Sequence, residues 1–396
     1  MTDDVVKRFR TLSDNGGGNG GGNDGGDGGE QSRAHSSPVP QTRALLRNHL
    51  ELGPLFKIVL TNLLLSIVTL GIYRFWGKTR LRRYLWGHVE IMGDRLEYTG
   101  TGKELFLGFL FVFIIILVPF FAVFGFLEAV MVEASENAQA LVSGLQTVLI
   151  VFLIGVALYR ARRYRLTRTH WRGIYGNQTG SALKYGLMGL ACYFLTAITL
   201  GLVWPVCSVW LKKYEMAHTW LGNQQPEFTP KTSKLYGPFL IAWFGGLLLL
   251  GCGVVLIGLV TKASSIDFNG GGEPSALALV GVIALIYASM LPFLSMFLWY
   301  RGKAYNHFVS STRFLNHDVT SAITGGGFVW LTIGNILLML FTLGLAAPVV
   351  YRRYLNFVER NVGLSGDGDF SALMQGEFEK PGIGEGLADA FDVGAI

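Results

Sequence analysis

The sequence predicts an all-α fold, a polytopic helical bundle within a membrane, and three observations support this class. First, 51% of the 396 residues are hydrophobic and only 15% are charged, whereas a soluble domain carries about 25% charged residues. Second, residues 105–127 contain no charged side chain, and a run of this length is sufficient for a helix across the hydrocarbon core. Third, a set of short motifs recurs along the chain at an almost constant spacing.

The apolar segments are long and do not alternate strictly with polar residues, which favours helices over membrane strands. Seven such segments lie at roughly 55–75, 105–127, 140–159, 184–210, 236–261, 277–300 and 328–350. We therefore predict a multi-pass membrane domain over residues 51–360. Residues 1–50 are predicted to be a disordered Gly/Asn/Asp-rich head, because such a composition offers no core. Residues 361–396 are predicted to be a short acidic soluble tail.

The recurring motifs predict two and a half internal repeats. Thr69-Leu70-Gly71 matches Thr199-Leu200-Gly201, and the same offset aligns LRRY at 81–84 with LKKY at 211–214. A third copy begins at Thr342-Leu343-Gly344 and includes YRRY at 351–354. The period is about 130–143 residues, and the copies cover about 55–183, 184–327 and 328–371. Duplication on this scale is common in transporters.

The charges on the connections favour one of two topologies. Residues 128–146 and 262–276 carry few basic residues, whereas every other connection is basic. If all seven segments span the membrane, basic loops fall on both sides. If the three TLG segments enter and return on one face, the positive-inside rule is satisfied. Both arrangements remain open from the sequence, and we expect the amino terminus to be cytoplasmic.

Several motifs occur in an order that resembles a known family. They are LTNLLLSIVTLGIYRFWGKTRLRRYLWGH, LEYTGTGKELFLGFL, THWRGIYGNQTGS, ITLGLVWP and FTLGLAAPVVYRRY. Together they resemble the YjgN-like family of bacterial inner-membrane proteins, a membrane domain of unknown function, over roughly residues 50–360. The third TLG segment departs from the second, because Ala347 stands where the second has Trp204. The resemblance implies a bacterial inner-membrane location and supplies no activity.

The TLG motifs predict breaks in three apolar helices, because glycine and a nearby proline interrupt helical geometry. Asn62 and Asn335 each precede a TLG threonine by seven residues, so that amide and hydroxyl share one helical face. An amide at membrane depth either joins helices together or helps to form a binding site. The candidate intramembrane polar site consists of Asn62, Thr69, Gly71, Thr199, Gly201, Asn335, Thr342 and Gly344.

Basic and aromatic residues alternate beside the apolar segments, where they either set the topology or bind anionic headgroups. The candidate lipid-headgroup contacts are Arg82, Arg83, Tyr84, Arg162, Arg163, Lys212, Lys213, Tyr214, Arg352 and Arg353. The segment TGTGKE at 99–104 superficially resembles a phosphate-binding loop, but it lacks the GxxxxGK[ST] spacing. A turn that enters a helix is the better interpretation.

The sequence contains no catalytic constellation, no metal-ligand spacing and no cofactor motif. We therefore do not predict an enzyme, a metal site or a cofactor. A permease- or channel-like module with a site at the TLG breaks is favoured by the duplication and by the intramembrane asparagines. The alternative is a lipid-headgroup-binding or envelope-organising protein without transport activity. Membrane lipids are the expected partners and nucleic acid is not; a substrate and an oligomeric state do not follow from the sequence.

Overall fold

The computed structural model describes residues 43–132, 135–263, 276–366 and 368–376. Its helices are α1 (Leu52–Val68), α2 (Arg74–Gly87), α3 (Gly102–Val130), α4 (Glu136–Thr167), α5 (Ala182–Ile198), α6 (Trp204–Ala217), α7 (Ser233–Ala263), α8 (Ala276–Ser310), α9 (Gly325–Phe341) and α10 (Ala347–Asn361). Helix α3 contains one π-helical turn, Phe113–Leu117. The strands are β1 (Arg43–Ala44), β2 (Leu46–Asn48), β3 (Val89–Ile91), β4 (Asp94–Tyr98), β5 (Thr169–Trp171), β6 (Ile174–Gln178), β7 (Thr219–Leu221), β8 (Glu227–Phe228), β9 (Thr312–Phe314), β10 (His317–Ser321) and β11 (Val362–Ser365).

The prediction of an all-α fold is therefore wrong in one respect, because the helices rise from two antiparallel sheets. One sheet has the strand order β1-β11-β10-β9-β8 and the other has the order β2-β3-β4-β5-β6-β7. The strands are only two to five residues long, so that they contribute little to a hydropathy pattern dominated by long helices. A weak alternation around Gly93-Asp94 is the sequence feature that indicates one of these hairpins, β3–β4.

The helices occur in pairs, and each pair is inserted between two strands that are hydrogen-bonded neighbours. The pairs α1–α2, α3–α4 and α5–α6 connect β2 to β3, β4 to β5 and β6 to β7. The pairs α7–α8 and α9–α10 connect β8 to β9 and β10 to β11. Because neighbouring strands are antiparallel and the remaining connections are short turns or loops, the helical hairpins of each sheet all leave from the same side of that sheet, at the strand ends opposite the short turns.

The ends of each hairpin meet at this side of its sheet. In α1–α2 the Tyr84 hydroxyl donates to Glu51 O at 3.0 Å, and in α5–α6 the Tyr214 hydroxyl donates to Ser181 O at 3.1 Å. In α9–α10 the Ala322 amide donates to Asn361 O at 2.8 Å. The three TLG segments therefore turn back toward the sheets, as in the arrangement in which they enter and return on one face.

Two of the hairpins are long and three are short. Four described helices are long and apolar enough to cross a membrane, namely Gly102–Val130, Glu136–Thr167, Ser233–Lys262 and Val280–Val309. Helices α1, α5 and α9 have 17 residues each, which is about 25 Å and shorter than the roughly 30 Å of the hydrocarbon core. Length thus separates the seven predicted apolar segments into four candidate spans and three shorter elements.

Close helix packing attaches a short hairpin to a long one. A Cβ atom on Gly155 of α4 would lie 2.9 Å from the Cα atom of Gly186 on α5, so that glycine at both positions lets the backbones approach each other. Hydroxyl side chains cap the amino-terminal ends of three helices. Thr101, Ser181 and Thr324 each accept a hydrogen bond from the amide three residues later. These caps satisfy amides that a helix start leaves free.

Strands lie just outside the predicted membrane domain at both of its ends. Of the predicted disordered head, residues 1–42 lie outside the described residues, but residues 43–48 form strands β1 and β2. Of the predicted tail, residues 362–365 form β11, and Phe370 stacks on His317 with ring centroids 4.7 Å apart. This segment covers an apolar cavity of about 300 Å³ between the two sheets. Residues 377–396 lie outside the described part of the chain.

Candidate functional site

Each TLG motif forms the turn of one short hairpin, and its threonine connects the two helices. The Thr69 hydroxyl donates to Leu65 O at 2.7 Å and accepts a hydrogen bond from the Tyr73 amide at 2.9 Å. Thr199 and Thr342 make the same two bonds, to carbonyls four residues earlier and from amides four residues later. Each hydroxyl proton is therefore used within the turn rather than directed at a ligand.

The glycine of each motif follows the end of the first helix and has a left-handed backbone conformation. Gly71, Gly201 and Gly344 have φ angles of +89°, +91° and +86°. Their amides donate to carbonyls five residues earlier, at distances of 2.6, 2.7 and 2.8 Å, which is the pattern of a Schellman cap. The preceding leucines also have positive φ, and their side chains are exposed at the hairpin tips. The predicted helix breaks are thus present as tight apolar turns.

The two asparagines lie below these turns. The Asn62 amide donates to Gly77 O at 2.9 Å, and a Cβ atom on Gly77 would lie only 3.1 Å from Asn62 Cγ. Asn62 therefore fastens α1 to α2, as the helix-joining interpretation expects. Asn335 is half-buried on α9, and Cys192, which takes the corresponding place in α5, is buried. None of the eight residues of the predicted polar site lines the cavity between α6 and α8 or the cavity beside α2.

The predicted headgroup contacts separate into buried and exposed side chains. Arg82 is 7% exposed and donates to the Tyr98 hydroxyl at 3.3 Å, so that it is part of the interior. Tyr84 and Tyr214 close the hairpin ends, and Arg163 and Arg353 are half-buried. Arg83, Lys213 and Arg352 are exposed. Arg162 and Lys212 belong to a charged cluster in the second short hairpin.

This cluster is centred on Glu215 of α6, which is not among the residues predicted from the sequence. Glu215 Oε2 lies 2.8 Å from Arg162 Nη1 of α4 and 2.9 Å from Lys212 Nζ. The Tyr185 hydroxyl of α5 donates to Glu215 Oε1 at 2.8 Å. The Glu215 side chain is 17% exposed. Three helices thus contribute to one ionic network near the sheet end of the hairpin.

The first short hairpin provides an internal comparison for this network. In the aligned sequences of the two hairpins, Leu55 corresponds to Tyr185 and Leu85 corresponds to Glu215. The two leucines pack in one apolar cluster. A hairpin of this kind therefore does not need charges at these positions. In the second hairpin Tyr185 and Glu215 take these positions, and Glu215 pairs with Arg162 of the neighbouring helix α4.

Burial and neighbouring charges together place the pKa values of both Glu215 and Lys212 below their ordinary values. Burial would raise the pKa of Glu215, but attraction to Lys212 and Arg162 and the hydrogen bonds from Lys212 and Tyr185 outweigh it, so that the pKa lies below its ordinary value. Burial and then the charge of Arg162 lower the pKa of Lys212, and Glu215 opposes this change.

Lys212 faces a cavity of about 460 Å³ between α6 and α8, which we call the α6–α8 cavity. Trp204, Ser208, Lys212 and Met216 line it from one face of α6. The opposite wall and the ends consist of Tyr300, Arg301, Ala304, Tyr305, Phe308, Val309, Phe228 and Thr312. A largely aromatic and apolar wall with Lys212 and Arg301 beside it is suited to an amphiphilic anion.

No group of three or more His, Cys, Asp or Glu side chains that could hold a metal ion is present in the described ranges. Glu215 is absent from the predicted site because it lies beyond the apolar segment 184–210, next to the basic residues Lys212 and Lys213. The informative signal is that Glu215 stands in the second TLG hairpin at the place that Leu85 takes in the first.

Four apolar helices of spanning length, three shorter apolar hairpins and a sheet layer at their base define a helical integral-membrane protein. The chain belongs to the DUF898 family, described as bacterial proteins of unknown function, whose model matches residues 49–390. This assignment confirms the resemblance to the YjgN-like family.

The chain is 32% identical over 119 residues to the inner membrane protein YjgN of Escherichia coli (strain K12), which covers 30% of this chain and 27% of that protein. It is 41% identical over 66 residues to the inner membrane protein YjgN of Salmonella typhimurium (strain LT2), or 17% of each chain. The match thus spans about a quarter or less of these relatives. No solved structure matches the chain.

Replacing Gly71 by alanine should lower the free energy of unfolding by about 1 kcal/mol, because alanine is strained at φ +89°. Gly53→Ala in α1 is the matched control, since a Cβ atom at either position would have nothing within 4 Å and only φ differs. Chemical unfolding in detergent measures both variants. Equal effects of the two substitutions would contradict the role of Gly71 in the turn.

Replacing Glu215 by glutamine should lower the free energy of unfolding by about 2 kcal/mol near neutral pH, because Arg162 and Lys212 lose their partner. This contribution is present above the ordinary glutamate pKa of 4.5 and is lost as the pH falls through the lowered folded-state pKa. Unfolding measured from pH 7 down to acid should therefore show the difference between wild type and variant shrinking. Glu227→Gln, on an exposed residue of β8, should change little at any pH.

Proposed function

We propose that the protein binds anionic membrane lipids, with the α6–α8 cavity as its principal site. The observation that carries this proposal is the position of Lys212 in the wall of an otherwise aromatic and apolar cavity of about 460 Å³. A cation at one side of an apolar space matches a molecule with a charged headgroup and an apolar body. The proposal selects the lipid-binding alternative that the sequence leaves open.

The depth of the cavity supports a lipid ligand. The cavity wall that α8 provides runs from Tyr300 to Val309. These residues form the carboxyl-terminal end of the candidate span Val280–Val309, next to strand β9. The end of a spanning helix lies at the headgroup region, where tryptophan, tyrosine, lysine and arginine are enriched. A basic side chain near an anionic leaflet contributes about 1 kcal/mol of attraction. Glu215 then has the role of holding Lys212 and Arg162 in place.

A permease or channel acting at the TLG turns has weaker support. The threonine hydroxyls donate to their own helices, and the Asn62 amide donates to Gly77 O. What favours this second function is the duplication pattern alone. Solute flux across the membrane of liposomes that contain the purified protein would favour the permease or channel function over lipid binding.

We also propose that the three short hairpins derive from an internal duplication. His88 and His218, which correspond when Thr69 is aligned with Thr199, approach the carbonyl four residues earlier at 2.7 and 2.8 Å. Asn361, at the same place relative to Thr342, donates to Phe357 O at 2.7 Å. When Thr69 is aligned with Thr342, the YRRY motif at 351–354 begins three residues earlier in its hairpin than the LRRY motif at 81–84 does. The two basic motifs, matched above by their sequence, are therefore not at equivalent positions.

Lys212→Gln and Arg301→Gln should each lower the retention of anionic lipid by about tenfold, because each removes a charge-assisted contact. Retention is measured by native mass spectrometry of protein purified in detergent with defined phosphatidylglycerol and phosphatidylcholine. Phosphatidylcholine retention should not change. Arg301 lies outside the Glu215 network and is exposed, so that its variant tests binding even if Lys212→Gln is poorly folded.

Lys213→Gln is the matched control, because Lys213 is the exposed neighbour of Lys212 and does not line the cavity. Its retention of phosphatidylglycerol should stay at the wild-type level. If all three variants retain phosphatidylglycerol like the wild type, or if all three lose it equally, the α6–α8 cavity is not the binding site.

We propose further that the protein lies in the inner membrane with the sheets on the cytoplasmic side, since basic residues cluster at that edge. In a background without native cysteines, Ser135→Cys between α3 and α4 should react with an impermeant thiol reagent from the periplasm. Ala217→Cys at the sheet end of α6 should react only after the membrane is opened; both positions are exposed. The opposite labelling pattern would reverse the orientation. Asn269, between α7 and α8 in the sequence, would serve as a second periplasmic position and lies outside the described residues.

A further inference from the structure

A second cavity lies at the base of the first short hairpin, where the segment TGTGK begins helix α3. This basal cavity has a volume of about 390 Å³ and is lined by Tyr73, Trp76, Thr79, Arg80, Arg83, Thr101, Gly102 and Lys103. The interpretation of TGTGK as a turn entering a helix is consistent with the structure, because Thr101 caps α3 and Gly102 is its first residue. The same turn brings Lys103 to the cavity that Arg80 and Arg83 line.

The basal cavity combines three cations and has no acidic side chain in its lining. Arg80 and Lys103 are exposed and have no ion-pair partner within the described residues. The nearest acidic residue in sequence, Glu104, is engaged on the other side, where its carboxylate lies 3.2 Å from Arg168 Nε and accepts from the Tyr164 hydroxyl at 3.1 Å. Among the described residues, no carboxylate therefore neutralises the positive charge at this cavity.

The cationic side chains surround a framework that is fixed by other contacts. Arg83 Nη2 donates to Gly100 O at 2.9 Å, which holds one guanidinium against the turn. Trp76 packs on the backbone of Gly102, where a Cβ atom would lie 2.7 Å from the indole. The Thr79 hydroxyl donates to Trp76 O at 2.9 Å and is buried. The wall is thus set before any anion enters.

We propose that the basal cavity binds a phosphomonoester group, such as the headgroup of phosphatidic acid. Three cations with no carboxylate in the cavity lining suit a group with up to two negative charges, and arginine presents paired donors to phosphate oxygens. The cavity lies at the start of the candidate span Gly102–Val130, which is headgroup depth for a lipid. Free phosphate has the same chemistry and is the other source of this ligand.

This site is independent of the α6–α8 cavity and does not rest on the function proposed for it. The second hairpin lacks the arrangement, since Trp210 stands where the first hairpin has Arg80. In the α6–α8 cavity a carboxylate accompanies Lys212, whereas the basal cavity has cations alone. The two sites therefore differ in the charge that they offer to a ligand.

The test is native mass spectrometry of the full-length protein with phosphatidic acid, phosphatidylmethanol or phosphatidylcholine of identical acyl chains. Phosphatidic acid should bind more tightly than phosphatidylmethanol, a phosphodiester, and the difference should grow as the pH rises through the second phosphate pKa of about 6. Arg80→Gln and Lys103→Gln should each weaken phosphatidic acid binding by about tenfold. Both side chains are exposed, so that melting temperatures should stay at the wild-type value.

Lys213→Gln, at the place in the second hairpin that corresponds to Arg83, is the control and should bind phosphatidic acid like the wild type. Lys212→Gln, which weakens the retention of anionic lipid at the α6–α8 cavity, should leave the preference for phosphatidic acid over phosphatidylmethanol intact, and this difference separates the two cavities. If inorganic phosphate competes for the site, and Arg80→Gln abolishes that competition, the ligand is free phosphate. Equal binding of phosphatidic acid and phosphatidylmethanol, or equal loss in Arg80→Gln and Lys213→Gln, would overturn the proposal.

Discussion

The antiparallel pairing of the strands that flank each helical hairpin is the constraint on which the rest of the architecture depends. Tyr98 pairs with Thr169 across α3–α4, and Gln178 pairs with Thr219 across α5–α6. These backbone hydrogen bonds hold the two ends of every hairpin together at one side of its sheet. In each short hairpin the chain then reverses at its TLG turn and returns to the neighbouring strand.

The sequence predicted the parts of the fold that depend on length and composition. A run such as residues 105–127 must be a membrane helix, since nothing else satisfies its backbone in lipid. Glycine at position 71 correctly indicated a helix break, but the double hydrogen bond of Thr69 depends on turn geometry that no motif reveals. Strands of two to five residues were missed, apart from β3–β4, because periodicity needs more positions than they offer.

The candidate site was predicted less well, because equivalent positions have different environments. Arg82 and Lys212 occupy the same place after their TLG threonines, yet Arg82 is buried against Tyr98 and Lys212 faces a cavity. Glu215 follows two lysines and reads as a surface residue, and its partner Arg162 lies 53 residues earlier in the chain. Long-range charge pairs of this kind follow from the fold and not from local sequence.

The return of every hairpin to the strand beside its origin has a consequence for how such a chain can evolve. A unit of strand, helical hairpin and strand begins and ends on the same side, so its insertion or loss leaves the sidedness of all later segments unchanged. Single spanning helices lack this property, because each one added inverts everything downstream. A protein assembled from such units can therefore vary the number and length of its hairpins while the basic edge of the sheets, with Arg83 and Lys213 exposed on it, keeps its orientation.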